Sequence, residues 1–307
     1  MSKTTAEFLT GVKRRITMPA NQVLMEDDDI LDIGSVILRL TMTKILKSAQ
    51  QNYLLTTIDI PLVADQAGYD VPYRAVVGGL EDIKFLYSDG ITLKSLSYIT
   101  VEDINQYTST ATYPQAFYFQ SDQIIIVPKP ISAAGSLRLP YHRKLSSLCL
   151  TTDAAQVTAK TATTVTVSSA PTGILAGSTV DFIKEKSLST ILSQDIVISS
   201  IASTTYTFSA GVIPSRLVVG DWVSVNGTTP ILPIPDECYD YFEALTGVSI
   251  LKAIGDEEGA RSLKAEVTGL EKEVITLLQP RIDGEPEKII SYHGLLRSKS
   301  FRYFGRG

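Results

Sequence analysis

Cysteine and histidine are scarce in this chain of 307 residues, with only two of each: Cys149, Cys238, His142 and His293. Two thiols make no disulfide framework, and neither imidazole sits in a readable Ser-His-Asp or Cys-His arrangement. No Walker loop to cradle phosphates and no HExxH pair of zinc ligands occurs. Long apolar runs are missing too. Ile124 to Val127 is one of the few, far below the roughly 20 residues that span a bilayer. The opening residues, MSKTTAEFLTGVKRR, lack the apolar centre of a secretory signal. These absences lead us to expect a soluble protein made in the cytoplasm, without cofactor, metal or membrane partner. An enzymatic reading is left without support.

What is present is an ordinary globular composition, 44% hydrophobic and 20% charged. A chain of this length buries about 70–75% of its unfolded surface and needs no covalent staples. The net charge is −5, and Arg297, Lys299, Arg302 and Arg306 give the last eleven residues +4, leaving −9 on the rest. An acidic body argues against a general nucleic-acid binder.

Helical periodicity marks both ends. Thr4 and Glu7 have capping-box spacing, and Phe8, Val12 and Ile16 follow on one face up to Pro19. A second helix opens on the acids Glu26 to Asp29, which suit the positive end of a helix dipole better than a metal site. Its inner face reads Ile30, Ile33, Ile37, Leu40 and Ile45. Near the C-terminal end, Asp236 stands ready to cap a helix striped by Tyr241, Leu245, Val248 and Leu251, with Gly255 as its stop. The next helix carries Leu263, Val267, Leu270, Val274 and Leu277 in steps of four, three, four and three. Such a narrow seam packs helices lengthwise, and it serves equally between copies of the chain or within one copy.

Between these ends the period falls to two. Short apolar strands run from Tyr53 to about residue 149, with Pro61, Pro72, Pro128 and Pro140 expected at strand ends or edges. Ser121 and Asp122 form the turn of a hairpin. Residues 150–233 then write one phrase twice, TTVTVSSAPTGILAGSTVDF from Thr163 and TTYTFSAGVIPSRLVVGDWV from Thr204. Gly177 and Gly220 close matching turns and are expected at positive φ. Half of a small barrel cannot bury its own face, so a second similar half covers it. Trp222 is the ring expected to fill that core rather than to stack on a ligand. A carbohydrate- or protein-binding β-sandwich is the alternative, but one Trp and one Tyr in this region offer little for sugars to stack on. Cys149 and Cys238 bracket the region. A buried thiol pair at its root is favoured over a metal site, which would need a second pair of ligands.

The fold class is therefore α+β, with a helical bundle formed by the N- and C-terminal helices, a β-rich region and an inserted small β-barrel or sandwich. The segments are 1–52 (helices), 53–149 (β-rich), 150–233 (insertion), 234–280 (helices) and 281–307 (extended tail).

This order of elements resembles the head-to-tail adaptor (connector) proteins of tailed bacteriophages. The resemblance is carried by DDDILDIGSVILRLTMTKIL, by YPQAFYFQSDQIIIVPKP leading to SLRLPYHRKL, by LVVGDWVSVNGTTPILPIPDE and by ILKAIGDEEGARSLKAEVTGLEKEV. It spans nearly the whole chain. It implies a structural virion protein without catalytic residues, forming a homo-oligomeric ring, usually a dodecamer, that joins the portal protein above to tail or nozzle proteins below. DNA passes the channel without sequence-specific binding. The final segment then docks on the portal through Arg297, Lys299, Phe301, Arg302, Tyr303, Phe304 and Arg306. Aromatics and Arg are the residues that dominate interface hot spots. A DNA-touching arm and a frayed end are the other readings of those residues.

Overall fold

The computed structural model describes residues 2–17, 25–49, 52–80, 82–107, 113–185 and 191–278, and shows an α+β protein. Helix α1 (Thr5–Arg15) starts at the capping box: the Thr4 hydroxyl accepts from Glu7 N, and the Glu7 carboxylate accepts from Thr4 N at 2.8 Å. Phe8 and Val12 are fully buried. Helix α2 (Asp27–Ile37) passes through a π-helical turn, Leu38–Met42, into α3 (Thr43–Ala49). Its first-turn acids make no side-chain cap, and Asp27 pairs instead with Lys13 of α1. The wide turn changes the inner face. Leu38, Met42 and Leu46 are buried, and Leu40, expected inside, is exposed.

The chain then alternates through β1 (Leu55–Pro61), β2 (Gly68–Asp70), β3 (Ala75–Leu80), β4 (Lys84–Leu86), β5 (Leu93–Ser95), β6 (Ser97–Tyr98), β7 (Ala116–Gln120), β8 (Gln123–Val127), β9 (Ser136–Arg143) and β10 (Ser147–Leu148). Strand β9 is central, pairing β1 on one side and β3 and β4 on the other. Strands β2, β8, β7 and β6 form a second sheet, with Ser121 at φ +57 in the β7–β8 turn. The two sheets share one core that includes Phe85, Phe117, Ile124, Leu137 and Leu139. Pro140 does not lie at an edge. It sits inside β9, in the gap between the partner of β3, Tyr141, and the partner of β4, Arg138, where no strand on that side asks for its missing N–H.

The segment from β11 to β17 leaves and returns beside itself: β10 pairs in parallel with β18 (Thr228–Thr229). Within it lie β11 (Ala155–Lys160), β12 (Thr164–Val167), β13 (Thr179–Ile183), β14 (Ile191–Val197), β15 (Ser200–Ala202), β16 (Thr205–Thr207) and β17 (Trp222–Val225). The twin phrases fold alike. Strand β12 pairs β16, and β13 pairs β17. Gly177 and Gly220 adopt φ +86 and +100. Their N–H groups donate to Ile198 O and Val157 O, both at 2.9 Å. Ser178 Oγ accepts from Leu175 N, and Asp221 Oδ2 accepts from Val218 N in the same place. Ile174 and Leu217 fill one core from both halves.

The expected barrel does not close. The hydrogen-bonded path runs β14-β13-β17-β11-β12-β16-β15. Its end strands are consecutive in the chain but do not pair, because residues 191–202 change partner from β13 to β16. Nor does Trp222 fill the core. Val223 faces inward, so its neighbour points to the other side of the pleat, and Phe182, Phe208 and Tyr206 occupy the interior.

Replacing Gly177 or Gly220 by Ala should cost about 1–2 kcal/mol each, the penalty of a left-handed backbone with a Cβ. An alanine Cβ at Gly177 meets nothing within 4 Å, so its cost there is purely conformational. An unchanged urea midpoint for Gly177→Ala would show that the backbone relaxes.

After a 3-10 turn at Asp236–Cys238, α4 (Tyr239–Ala253) begins without a side-chain cap, so Asp236 is not the N-cap expected. Helix α5 (Glu257–Leu278) follows. Helix α4 packs against α1, α2 and α5 together. It is therefore buried on nearly every side and shows no single stripe. Phe8 and Phe242 stack at its crossing with α1, ring centres 4.8 Å apart.

Candidate functional site

The docking residues expected in the tail, Arg297, Lys299, Phe301, Arg302, Tyr303, Phe304 and Arg306, lie outside the described residues. The seam of α5 lies within them. Leu263, Val267 and Val274 are buried in the helical core of the same chain, and Leu270 is packed against it. Leu277 departs from the seam: it is exposed, and Leu278 packs against the core in its place. A last step of four rather than three turns position 278 inward.

Both cysteines are free thiols. Cys149 Sγ lies 3.6 Å from Ser224 Oγ, while Cys238 is buried among the helices. Burial pushes both thiols up, Cys238 to about 12. Burial thus disfavours the thiolate, the form a nucleophile needs, at both positions. Among the described residues no group of three or more His, Cys, Asp or Glu side chains is placed to hold a metal ion. No helix among them is long and apolar enough to cross a membrane.

The most constrained polar cluster sits where the insertion meets the β-rich region. Arg74, just before β3, is 6% exposed, and Asp181, in β13, is fully buried. The Arg74 guanidinium donates to Asp181 Oδ2 at 2.7 Å and also bonds Asn226 Oδ1. Two backbone groups complete the carboxylate, Gly227 N to Oδ2 and Asp195 N to Oδ1, both at 3.1 Å. Asp195 reaches this position at φ +61. Tyr73 accepts from Arg74 Nε at 2.9 Å and donates to Asp195 at 2.5 Å. Burial pushes the Asp181 carboxyl up, while the guanidinium and the N–H groups favour its charged form. A pair this enclosed has only one good geometry, so the cluster fixes the orientation of the insertion on the body. Sequence reading missed it. The signal was a lone charge beside or within an apolar run, Arg74 just before AVV and Asp181 in STVDFI.

A second cluster ties α1 to α4. Glu243 is 3% exposed on α4 and takes both Lys3 and, at 3.5 Å, Arg15. Arg15 also reaches Asp240 and Glu266, joining α1, α4 and α5. On the outside, Val36 and Leu40 leave an apolar patch beside Arg39 and Lys144. None of these arrangements combines a nucleophile with a base. They hold parts together.

Residues 4–184 fit the family model described as SU10 adaptor protein, which covers more than half of the chain and ends at β13. No curated protein matches the chain.

Proposed function

Because the chain belongs to the SU10 adaptor protein family, we propose that this phage structural adaptor works at the head-to-tail junction of the virion, as a ring that joins the portal protein to tail or nozzle proteins. It is made in the host cytoplasm and acts without catalysis. The family match carries this reading. The charge distribution supports it: an acidic body of −9 repels DNA passing through a channel, whereas phosphate binding rises with Lys and Arg contacts. The basic, aromatic segment 297–307 is the portal-docking arm. Each aromatic ring of that segment contributes about 1.5–3 kcal/mol if fully buried on the portal. The ring is a dodecamer. The insertion, rooted at the β10–β18 pair, is a peripheral platform.

Light scattering of the protein with purified portal should show a complex of many copies. Removing Arg297 to Gly307, or changing Phe301, Tyr303 and Phe304 to Ala, should abolish that complex and leave the monomer folded. A strict monomer at saturating portal would refute the proposal. A triple-Ala variant that still binds would move docking to the arginines.

A further inference from the structure

A cavity of about 240 Å³ opens where three parts of the molecule meet. Its wall takes Tyr53 from the end of the helices, Thr56 from β1, Arg143 from the end of β9, Leu145 and Ser146 from the next turn, and Ile191 from the insertion. Arg143 is the only charged residue of that wall among the described residues. Among the described residues no hydrogen bond or ion pair reaches its guanidinium; only its backbone N–H is engaged, by Leu54 O at 2.9 Å. The nearby carboxylate, Asp181, already accepts from Arg74, Gly227 and Asp195. The Tyr53 hydroxyl is likewise buried without a partner.

A half-buried cation without a bonded counter-ion among the described residues costs stability. Burial holds the Arg143 guanidinium below its ordinary value; Tyr141 and Asp181 pull the other way, and Arg74 adds repulsion. Apolar residues would fill this space better. Strain of that kind is retained where a ligand relieves it. The space holds roughly eight waters' worth of volume at about 30 Å³ each, too small for a nucleotide. One positive charge, hydroxyls and leucine side chains together match a singly charged head on a short aliphatic stem.

We propose that this cavity is a carboxylate-binding site, with Arg143 as the anion-binding residue, Tyr53, Thr56 and Ser146 as flanking polar groups, and Leu145 and Ile191 against the stem. The carboxylate is an acidic side chain or a chain terminus of another protein. Its arrival bridges the insertion and the body and fixes them further.

The full chain is titrated with butyrate, butanol, inorganic phosphate, and a short Gly-Gly-Leu peptide with a free or an amidated C-terminus, read by thermal unfolding and by the NMR signal of Arg143 Nε. Butyrate at ten times its Kd should raise the midpoint by about 2 °C and shift the Nε signal; butanol and phosphate should do neither. A free peptide terminus that binds at least tenfold more tightly than butyrate, with the amidated form silent, supports a protein source. Equal affinity of peptide and butyrate overturns that source. Arg143→Met should unfold at a higher temperature than the parent in plain buffer and lose the butyrate response. Phosphate acting as well as butyrate, a response surviving in Arg143→Met, or no response to any carboxylate overturns the proposal.

Discussion

Arg74→Met should lower stability by about 3–5 kcal/mol, the usual cost of leaving one member of a buried ion pair alone. The physical origin is Asp181, fully buried and stripped of its 2.7 Å guanidinium bond, which must then hold a charge with two backbone N–H groups alone or take up a proton. Asp181→Asn in the same chain should recover much of the loss, because the amide oxygen still accepts a backbone N–H and no charge remains. Urea midpoints of the two single variants and the double variant give the coupling. Strict additivity would mean that the pair is not the joint between insertion and body. Trypsin digestion adds a local test: the insertion of Arg74→Met should be released at urea concentrations where the helices are still intact.

The second large effect is expected from Phe242→Ala, about 3–5 kcal/mol. Phe242 is fully buried in α4, stacked on Phe8 of α1. Because α4 is enclosed by α1, α2 and α5, the surrounding helices have little room to collapse into the void. Phe8→Ala should cost nearly as much, and the double variant less than the sum, because the second truncation enlarges a cavity that already exists. A loss below about 1 kcal/mol would show that the helices reseal.

How much of this was legible in the sequence follows from the range of each interaction. The capping box of Thr4 and Glu7 spans three residues, and it formed as read. The twin turns at Gly177 and Gly220 depend on local φ, and they also formed as read. Trp222 reads as the core ring on its size, but Val223 beside it faces inward and pleat parity turns the indole to the other side. Leu40 was lost to an extra residue in the π turn, which no periodicity announces. The enclosure of α4 was hidden because apolar residues on all sides blur into a single stripe when only one face is sought. Arg74 and Asp181 are 107 positions apart, and no local pattern links them. The cavity at Arg143 is a property of three separate segments and had no signal other than a charge at a strand end.

The β10–β18 root has a consequence for synthesis. Phe8 and Phe242 are 234 positions apart, and everything from β11 to β17 is translated between them. At about 5–20 residues per second, α1 leaves the ribosome on the order of 10–50 s before α4 exists to cover it. The insertion's strands pair only with one another, so its sheet can form on the nascent chain in that interval, before Phe8 and Val12 are covered. The chain returns next to where it left, so this early folding brings Ile231 back toward Thr4, with which it forms a bridge. The module made in the middle thereby shortens the search by which the two ends of the protein find each other.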